Sequence, residues 1–250
     1  MRGWALVTGA ARRIGRTLAL ALADAGFDVV VHYRGSGADA DAVCAEIAAR
    51  GRRAVSLAAD LAVEGEAQRL VERAQEAAGP LVLLVNNASV FREDSLETMT
   101  REGWDAHMET NLRSPLVLAQ AFAAQAPDGA CIVNLLDQRV WKPNPQFFTY
   151  SLSKAALWAA TRTLAQALAP RIRVNGVGPG PTLPSVHQTP DEFADEARNV
   201  PLQRRATPEE IAGAVLYLVD APSVTGQMIA VDGGQHLAWR TPDIASGETD

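Results

Sequence analysis

The sequence is short of several things, and each shortage removes a class of function. Only two cysteines are present in 250 residues, Cys44 and Cys131. They form no CxxC and no Cys/His spacing, which argues against a structural zinc or a disulfide framework. Both stand among apolar neighbours, as free buried thiols in a reducing compartment do. No run reaches about 18 apolar residues, so no helix is expected to span a membrane. The first residues, Met1 to Val7, carry one charge and no apolar run of the length a secretory leader needs, and the expected location is cytoplasmic. A basic excess is missing too: 29 acidic residues face 23 basic ones, for a net charge of -6, which argues against a nucleic-acid binder. No linker rich in Gly, Pro or Ser divides the chain, and it has neither an internal repeat nor a low-complexity tract.

What is present is regular in its order. Hydrophobic residues make up 48% and charged residues 21%, enough to build a sizeable core at this length. Short apolar runs at Trp4–Val7, 29–31, 54–57, 81–85, 132–135, 174–177 and Met228–Val231 predict strands. Runs that do not alternate suit a parallel sheet buried on both faces. Helical patterns lie between them: Leu18, Leu22 and Ala25, then 38–50, Glu64–Ala78, two longer ones at 104–126 and 150–168, and 208–219. The last is introduced by Thr207, Pro208 and Glu210, a capping-box signature. The alternation predicts one α/β domain over residues 1–240, a doubly wound parallel sheet of about seven strands with helices on both faces. Residues 179–190 hold four prolines and read as a surface lid before a short helix. Residues 241–250 read as a polar tail that frays.

The strict GxGxxG pattern is also missing. The first strand instead runs into Thr8-Gly9-Ala10-Ala11-Arg12-Arg13-Ile14-Gly15 and a helix. Gly9 permits a tight turn and Gly15 a close helix–strand contact. The helix start, with Arg12, Arg13 and Ile14, would offer N–H groups to a pyrophosphate. An ordinary strand-to-helix turn has the same outline. Missing again is the acidic residue that NAD enzymes place about 20 residues past the glycines for the ribose 2′-OH. The second strand ends in His32-Tyr33-Arg34-Gly35-Ser36, where no carboxylate would repel a 2′-phosphate and Arg34 and Ser36 supply donors for one. The expected cofactor is therefore NADPH/NADP+ rather than NADH. After the third strand comes Asp60-Leu61, whose carboxylate would either accept from the adenine amino group or cap the next helix. Asn86-Asn87-Ala88-Ser89 closes the fourth strand at the carboxyl edge, where such sheets bind ligands.

Tyr150 and Lys154 stand four apart, on one face of a predicted helix. An ammonium close to a phenol favours phenolate, so the pair is expected to exchange a proton near neutral pH while a nicotinamide gives or takes hydride. Together with residues 8–15, Asn86-Asn87-Ala88, Asn111, Pro179-Gly180 and Val231-Asp232-Gly233-Gly234, this pair resembles the short-chain dehydrogenase/reductases over about residues 3–238. The resemblance implies a Rossmann fold, a nicotinamide cofactor, a homotetramer and an Asn111 that bends its helix and supports a water linked to the lysine. It also implies that Pro179 and Gly180 lie at the cofactor.

Three positions depart from the usual family pattern. Arg13 replaces the middle glycine, Ser89 replaces the glycine after Asn-Asn-Ala, and Asp137 replaces the catalytic serine. Together they are similar to the pteridine reductase branch. There the arginine contacts cofactor and pterin, the serine lies beside the nicotinamide, and an aromatic two residues on, Phe91 here, stacks on the pterin. His32, Tyr33, Arg34 and Ser36 also resemble that branch's NADPH segment. Chemistry points the same way, since an ionised Asp137 beside Tyr150 would oppose phenolate and repel a developing alkoxide. A carboxylate suits an aminopyrimidine, or a proton relay to a ring nitrogen. The expected reaction is reduction of a dihydropterin to the tetrahydro form, with hydride from NADPH and a proton from Tyr150 or water assisted by Asp137. Lys154 would hold the nicotinamide ribose and tune Tyr150.

Two other functions stay open at this point: reduction of a carbonyl in a 3-oxoacyl thioester or a sugar, and a non-catalytic NADPH sensor. Asp137 weighs against the first, and retention of both Tyr150 and Lys154 against the second. Single residues have plain alternatives as well. Phe91 could be core, Arg13 could bind pyrophosphate alone, and Trp141 either lines the pocket or packs its loop. His107, His187 and His236 suggest nothing catalytic.

Overall fold

The structure, a computed structural model, describes residues 2–184 and 188–239. The apolar runs are strands: β1 (Trp4–Val7), β2 (Asp28–Tyr33), β3 (Ala54–Ala58), β4 (Leu81–Asn86), β5 (Ala130–Leu135), β6 (Ile172–Pro179) and β7 (Met228–Val231). They form one sheet in the order β3-β2-β1-β4-β5-β6-β7, every pairing parallel. Neighbouring residues of a strand feed opposite faces. Ala5, Val7, Val29, Val31, Leu83 and Val85 belong to one core cluster. Trp4, Leu6, Val30, Leu81 and Leu84 belong to the other. Both faces are covered, which is why the strands read as unbroken apolar runs.

One face is covered by α1 (Arg13–Asp24), α2 (Gly37–Ala49) and α8 (Pro208–Asp220), through Leu18, Leu22, Val43, Ile47, Ile211 and Val215. On the other lie α3 (Glu64–Ala78) and α5 (Ser114–Gln125), through Leu70, Val117 and Phe122, with α6 (Phe148–Leu168) beside them through Ala165. The Thr207 capping box forms as its sequence predicts, with Glu210 N–H donating to Thr207 Oγ1 and Thr207 N–H to Glu210 Oε2. A second box of the same composition, Thr189 with Glu192, starts α7 (Pro190–Arg198).

The predicted single helix over 104–126 needs correction. It begins as α4 (Arg101–Met108), passes through a π-helical turn at Glu109–Arg113 and resumes as α5. Such a turn adds a residue and needs outside support, and Asn111 supplies it through bonds described below. Cys131 is buried and Cys44 half-buried, both free, and burial pushes each thiol up to about 11. Among the described residues no helix is long and apolar enough to cross a membrane. Residues 241–250, His187 and the middle of the 179–190 loop lie outside the described residues.

Candidate active site

Chain order reverses between β1 and β4, which lie side by side while their connections run to opposite halves of the sheet. At the carboxyl ends of the strands this reversal opens a cleft of about 890 Å³, at the place where doubly wound sheets bind ligands. The turn after β1 forms its floor. Gly9 has φ +63, and a Cβ on Gly15 would sit 2.1 Å from the Gly9 carbonyl oxygen, so no other residue fits position 15. The turn is pinned from three sides. His32 Nδ1 accepts from Gly9 N–H at 3.0 Å, and its Nε2 faces Ala59 O at 3.1 Å. Asn87 Nδ2 donates to the carbonyls of Thr8 and Gly9 at 2.8 and 3.2 Å. Thr8 Oγ1 accepts the N–H of Asn87 and of Ala88, both at 2.9 Å. Burial holds His32 neutral, its pKa brought down to about 4.

This floor fits a dinucleotide. No side chain caps the N-terminus of α1 and no acidic residue stands in its first turn, which leaves N–H groups for a pyrophosphate. Arg12, Ile14, Gly15, Leu61, Ala88, Pro179 and Gly180 line the cleft. The side chain of Arg12 turns away to pair with Asp39. Arg34 lines the cleft, is exposed, and has no ion pair among the described residues. The rest of its segment does less than predicted. Tyr33 packs under the start of α2 beside Gly37, Ser36 directly precedes that helix, and neither lines the cleft. His32 does line it, with both ring nitrogens engaged by backbone groups. Asp60 also lines the cleft and is not the cap of α3, whose N-cap is Val63. One of its oxygens takes Ala62 N–H at 3.0 Å.

The other half of the cleft brings together Ser89, Phe91, Asp137, Tyr150 and Lys154. Tyr150 donates its hydroxyl to Asp137 Oδ2 at 2.9 Å. Asp137 ends the loop after β5, and its Oδ1 caps the following 3-10 turn by accepting Arg139 N–H at 2.8 Å. The phenol does not behave as the Tyr-Lys spacing alone predicts. Burial first, and then the charge of Asp137, raise its pKa well above the ordinary value, while Arg139 opposes them. Lys154 turns its Nζ to Leu135 O at 2.7 Å, and burial brings it down to about 8, with Asp137 opposing. Phe91 meets Tyr150 edge-on at 4.7 Å and stacks flat on Phe147 at 4.2 Å.

Asn111 stands in the π-turn, behind the cleft. It is fully buried and absent from the cleft lining. Its Oδ1 accepts from Val90 N–H at 2.8 Å and Ser89 Oγ at 3.1 Å, and its Nδ2 donates to Val90 O and Ser153 Oγ at 2.9 and 3.1 Å. The amide ties the Ser89 segment to α6, and the π-turn is the backbone form that lets it reach. Arg13 has a positive φ, 53, and donates to Leu183 O and Pro184 O of the loop after β6 at 3.4 and 2.9 Å. Trp141 is exposed, lies edge-on to His236 and is not in the cleft lining.

Two participants escape sequence reasoning, and His107 is the core residue it suggested. Arg139 pairs with Asp137 at 3.3 Å. Phe147 covers Phe91 from a left-handed backbone at φ 52. His107 is a satisfied core histidine, accepting Arg92 N–H at its Nε2 and donating from Nδ1 to Thr149 Oγ1 at 2.7 Å, beside Tyr150. Thr149 also bonds Asp94. Only an aromatic directly before the helix of Tyr150, and an arginine two residues past Asp137, marked the first two in the sequence.

A short-chain dehydrogenase/reductase family model, described as enoyl-(acyl carrier protein) reductase, matches residues 9–236. The chain belongs to the short-chain dehydrogenase/reductase family. Members of that family are oxidoreductases, and the relatives differ in what they reduce. A 3-oxoacyl-[acyl-carrier-protein] reductase of Synechocystis is 36% identical over 92% of this chain and 95% of its own length. Among solved structures, FolM alternative dihydrofolate reductase 1 from Brucella canis, complexed with NADP, is 49% identical over 97% of both chains, with a TM-score of 0.93. Its counterpart from Brucella suis, also in complex with NADP, is 50% identical over 96% of this chain and 98% of its own, again with a TM-score of 0.93.

Proposed function

We propose that this short-chain dehydrogenase/reductase is an NADPH-dependent pteridine reductase that converts a dihydropterin, such as dihydromonapterin or dihydrobiopterin and also dihydrofolate, to its tetrahydro form. The observation that carries the reading is the 2.9 Å bond from Tyr150 to Asp137, beside the Phe91 ring in the cleft. A carboxylate there offers an acceptor where a carbonyl reductase needs a neutral donor. The likeness to the two FolM structures supports the same reading.

In this reading the free N–H groups of α1 take the pyrophosphate, Arg34 the 2′-phosphate, Asp60 the adenine amino group, and Lys154 with Tyr150 the nicotinamide ribose. Bound NADPH supplies the hydride for a ring carbon. The chain's own task is the proton for the adjacent ring nitrogen. The Tyr150 hydroxyl is a buried proton donor beside Phe91, and Asp137 Oδ2 orients it and accepts a donor edge of the aminopyrimidine. Ser89 and Phe91 bound the slot, Asn111 fixes the segment that carries them, and Arg13 joins the phosphate turn to the lid over it. Cytoplasmic location and a homotetramer are part of the same proposal.

The test is NADPH oxidation by the purified protein with dihydromonapterin, dihydrobiopterin and dihydrofolate, beside 3-oxoacyl thioesters and sugars. Turnover of pterins with ketones inert is the expected result. Turnover confined to the thioesters, the chemistry of the Synechocystis relative's name, would overturn the substrate and leave the fold and cofactor.

A further inference from the structure

Asp137 creates a problem that the family's usual serine does not. It lays a negative charge on the hydroxyl that must give up a proton, in a site where little water screens it. Lys154, the cation that the Tyr-x-x-x-Lys spacing offers as a remedy, is engaged with Leu135 O and lies 5.8 Å from the Tyr150 ring centroid. Among the groups packed round Tyr150, burial draws the pKa of His107 of α4 down and both its ring nitrogens are engaged, and Asp94 is turned to Thr149. That leaves Arg139, whose guanidinium lies against Asp137 at 3.3 Å with the two side chains 16% and 13% exposed.

We propose that Arg139 is a positioning residue for the proton transfer: it clamps Asp137 in the orientation that receives the Tyr150 hydroxyl and cancels the carboxylate's charge at that hydroxyl. Two further observations support it. The backbone N–H of Arg139 donates to Asp137 Oδ1 at 2.8 Å while its Nη1 approaches both carboxylate oxygens, so one residue grips the carboxylate from two directions. The guanidinium also lies over the rings of Phe91 and Phe147, at 5.8 and 5.4 Å. Flat cations are held well on aromatic faces, so the rings that bound the slot also fix the cation. Among the described residues Arg139 is the cation that draws the Tyr150 proton affinity down against burial and Asp137.

The inference rests on the pteridine reading for its substrate, but the charge argument concerns the chain alone. It is tested with Arg139→Gln and Arg139→Lys by kcat and KM across pH, on whichever of the dihydropterin and 3-oxoacyl thioester the wild type turns over. A second arm needs no substrate: ultraviolet difference titration of tyrosinate, with Tyr150→Phe as the blank. Arg139→Gln should lower kcat about tenfold or more, with KM changed less than about threefold. Its alkaline limb and its Tyr150 titration should both move to higher pH, since a cation that favoured the phenolate is gone. Arg139→Lys should restore the position of the limb more than the rate. A kcat loss with limb and titration unmoved, or a loss confined to KM, would overturn the proposal. Thioester turnover with the limb shifted would keep it while ending the pteridine reading.

Discussion

The two halves of the cleft are built by different means. The cofactor half is held by backbone groups: Gly9 and Gly15 leave no room for a side chain, and Thr8, His32 and Asn87 spend their polar atoms on main-chain partners. The substrate half is held by side chains on side chains, with Tyr150 on Asp137, Arg139 on Asp137 and Phe91 on Phe147. A half made of backbone tolerates few substitutions and binds the same ligand wherever it recurs. A half made of side chains is retuned one residue at a time. The relatives of this chain include both a 3-oxoacyl-[acyl-carrier-protein] reductase and FolM alternative dihydrofolate reductase 1.

The sharpest way to separate the halves is Tyr150→Phe. Turnover should drop about a thousandfold, within the range usual for losing a positioned proton donor. NADPH affinity, measured by nucleotide fluorescence, should stay within a few-fold of wild type because the phosphate turn is untouched. Comparable loss in both would mean that the halves are not independent.

Next in size is His32, which tests the backbone half through its stability. Its pKa falls from 6.5 unfolded to about 4 folded. The stability this contributes is intact above about 6.5, is lost as pH drops towards 4, and changes no further below that. The loss is on the order of 3 kcal/mol. Burial shifts His107 the same way, so His32→Asn should flatten most but not all of the wild-type decline in Tm between pH 7 and 4. An unchanged slope would remove His32 as the strut under Gly9.

The smallest effect sharpens the cofactor assignment. Arg34→Ala should weaken NADPH roughly 10- to 100-fold, the worth of a charge-assisted bond to phosphate, and leave NADH near its wild-type value. Equal losses for both nucleotides would take the 2′-phosphate away from Arg34.

How far the sequence foretold this arrangement depends on whether the determinant is local. The strands were legible because a sheet buried on both faces writes itself as apolar runs. Gly9, Asn87, Asp137, Tyr150 and Lys154 were legible because each sits at a strand end or a fixed spacing. The π-turn was not, because its cause is tertiary: Asn111 reaches Val90 and Ser153, each far along the chain. The lowered phenol pKa expected of the Tyr-Lys pair failed for the same reason, since spacing is blind to burial and to the direction in which Lys154 points. Arg139 and Phe147 carry no periodic or motif signal, and only the folded loop brings them onto Asp137 and Phe91. Tyr33 and Ser36 were placed by position in a segment; Tyr33 packs beside Gly37, and Ser36 stands at the start of α2.

Arg13 and Phe147 stand at opposite sides of the cleft, both with a backbone that side chains rarely adopt, at φ 53 and 52. Each costs about 1 kcal/mol relative to a residue at ease there. Directed evolution for heat resistance alone would therefore find glycine or asparagine rewarding at these two places. A library selected that way, without an activity screen, would drift towards sturdier proteins that had shed the link from the turn after β1 to the loop after β6 and the ring that covers Phe91. Any effort to harden this enzyme as a biocatalyst should hold those two codons fixed.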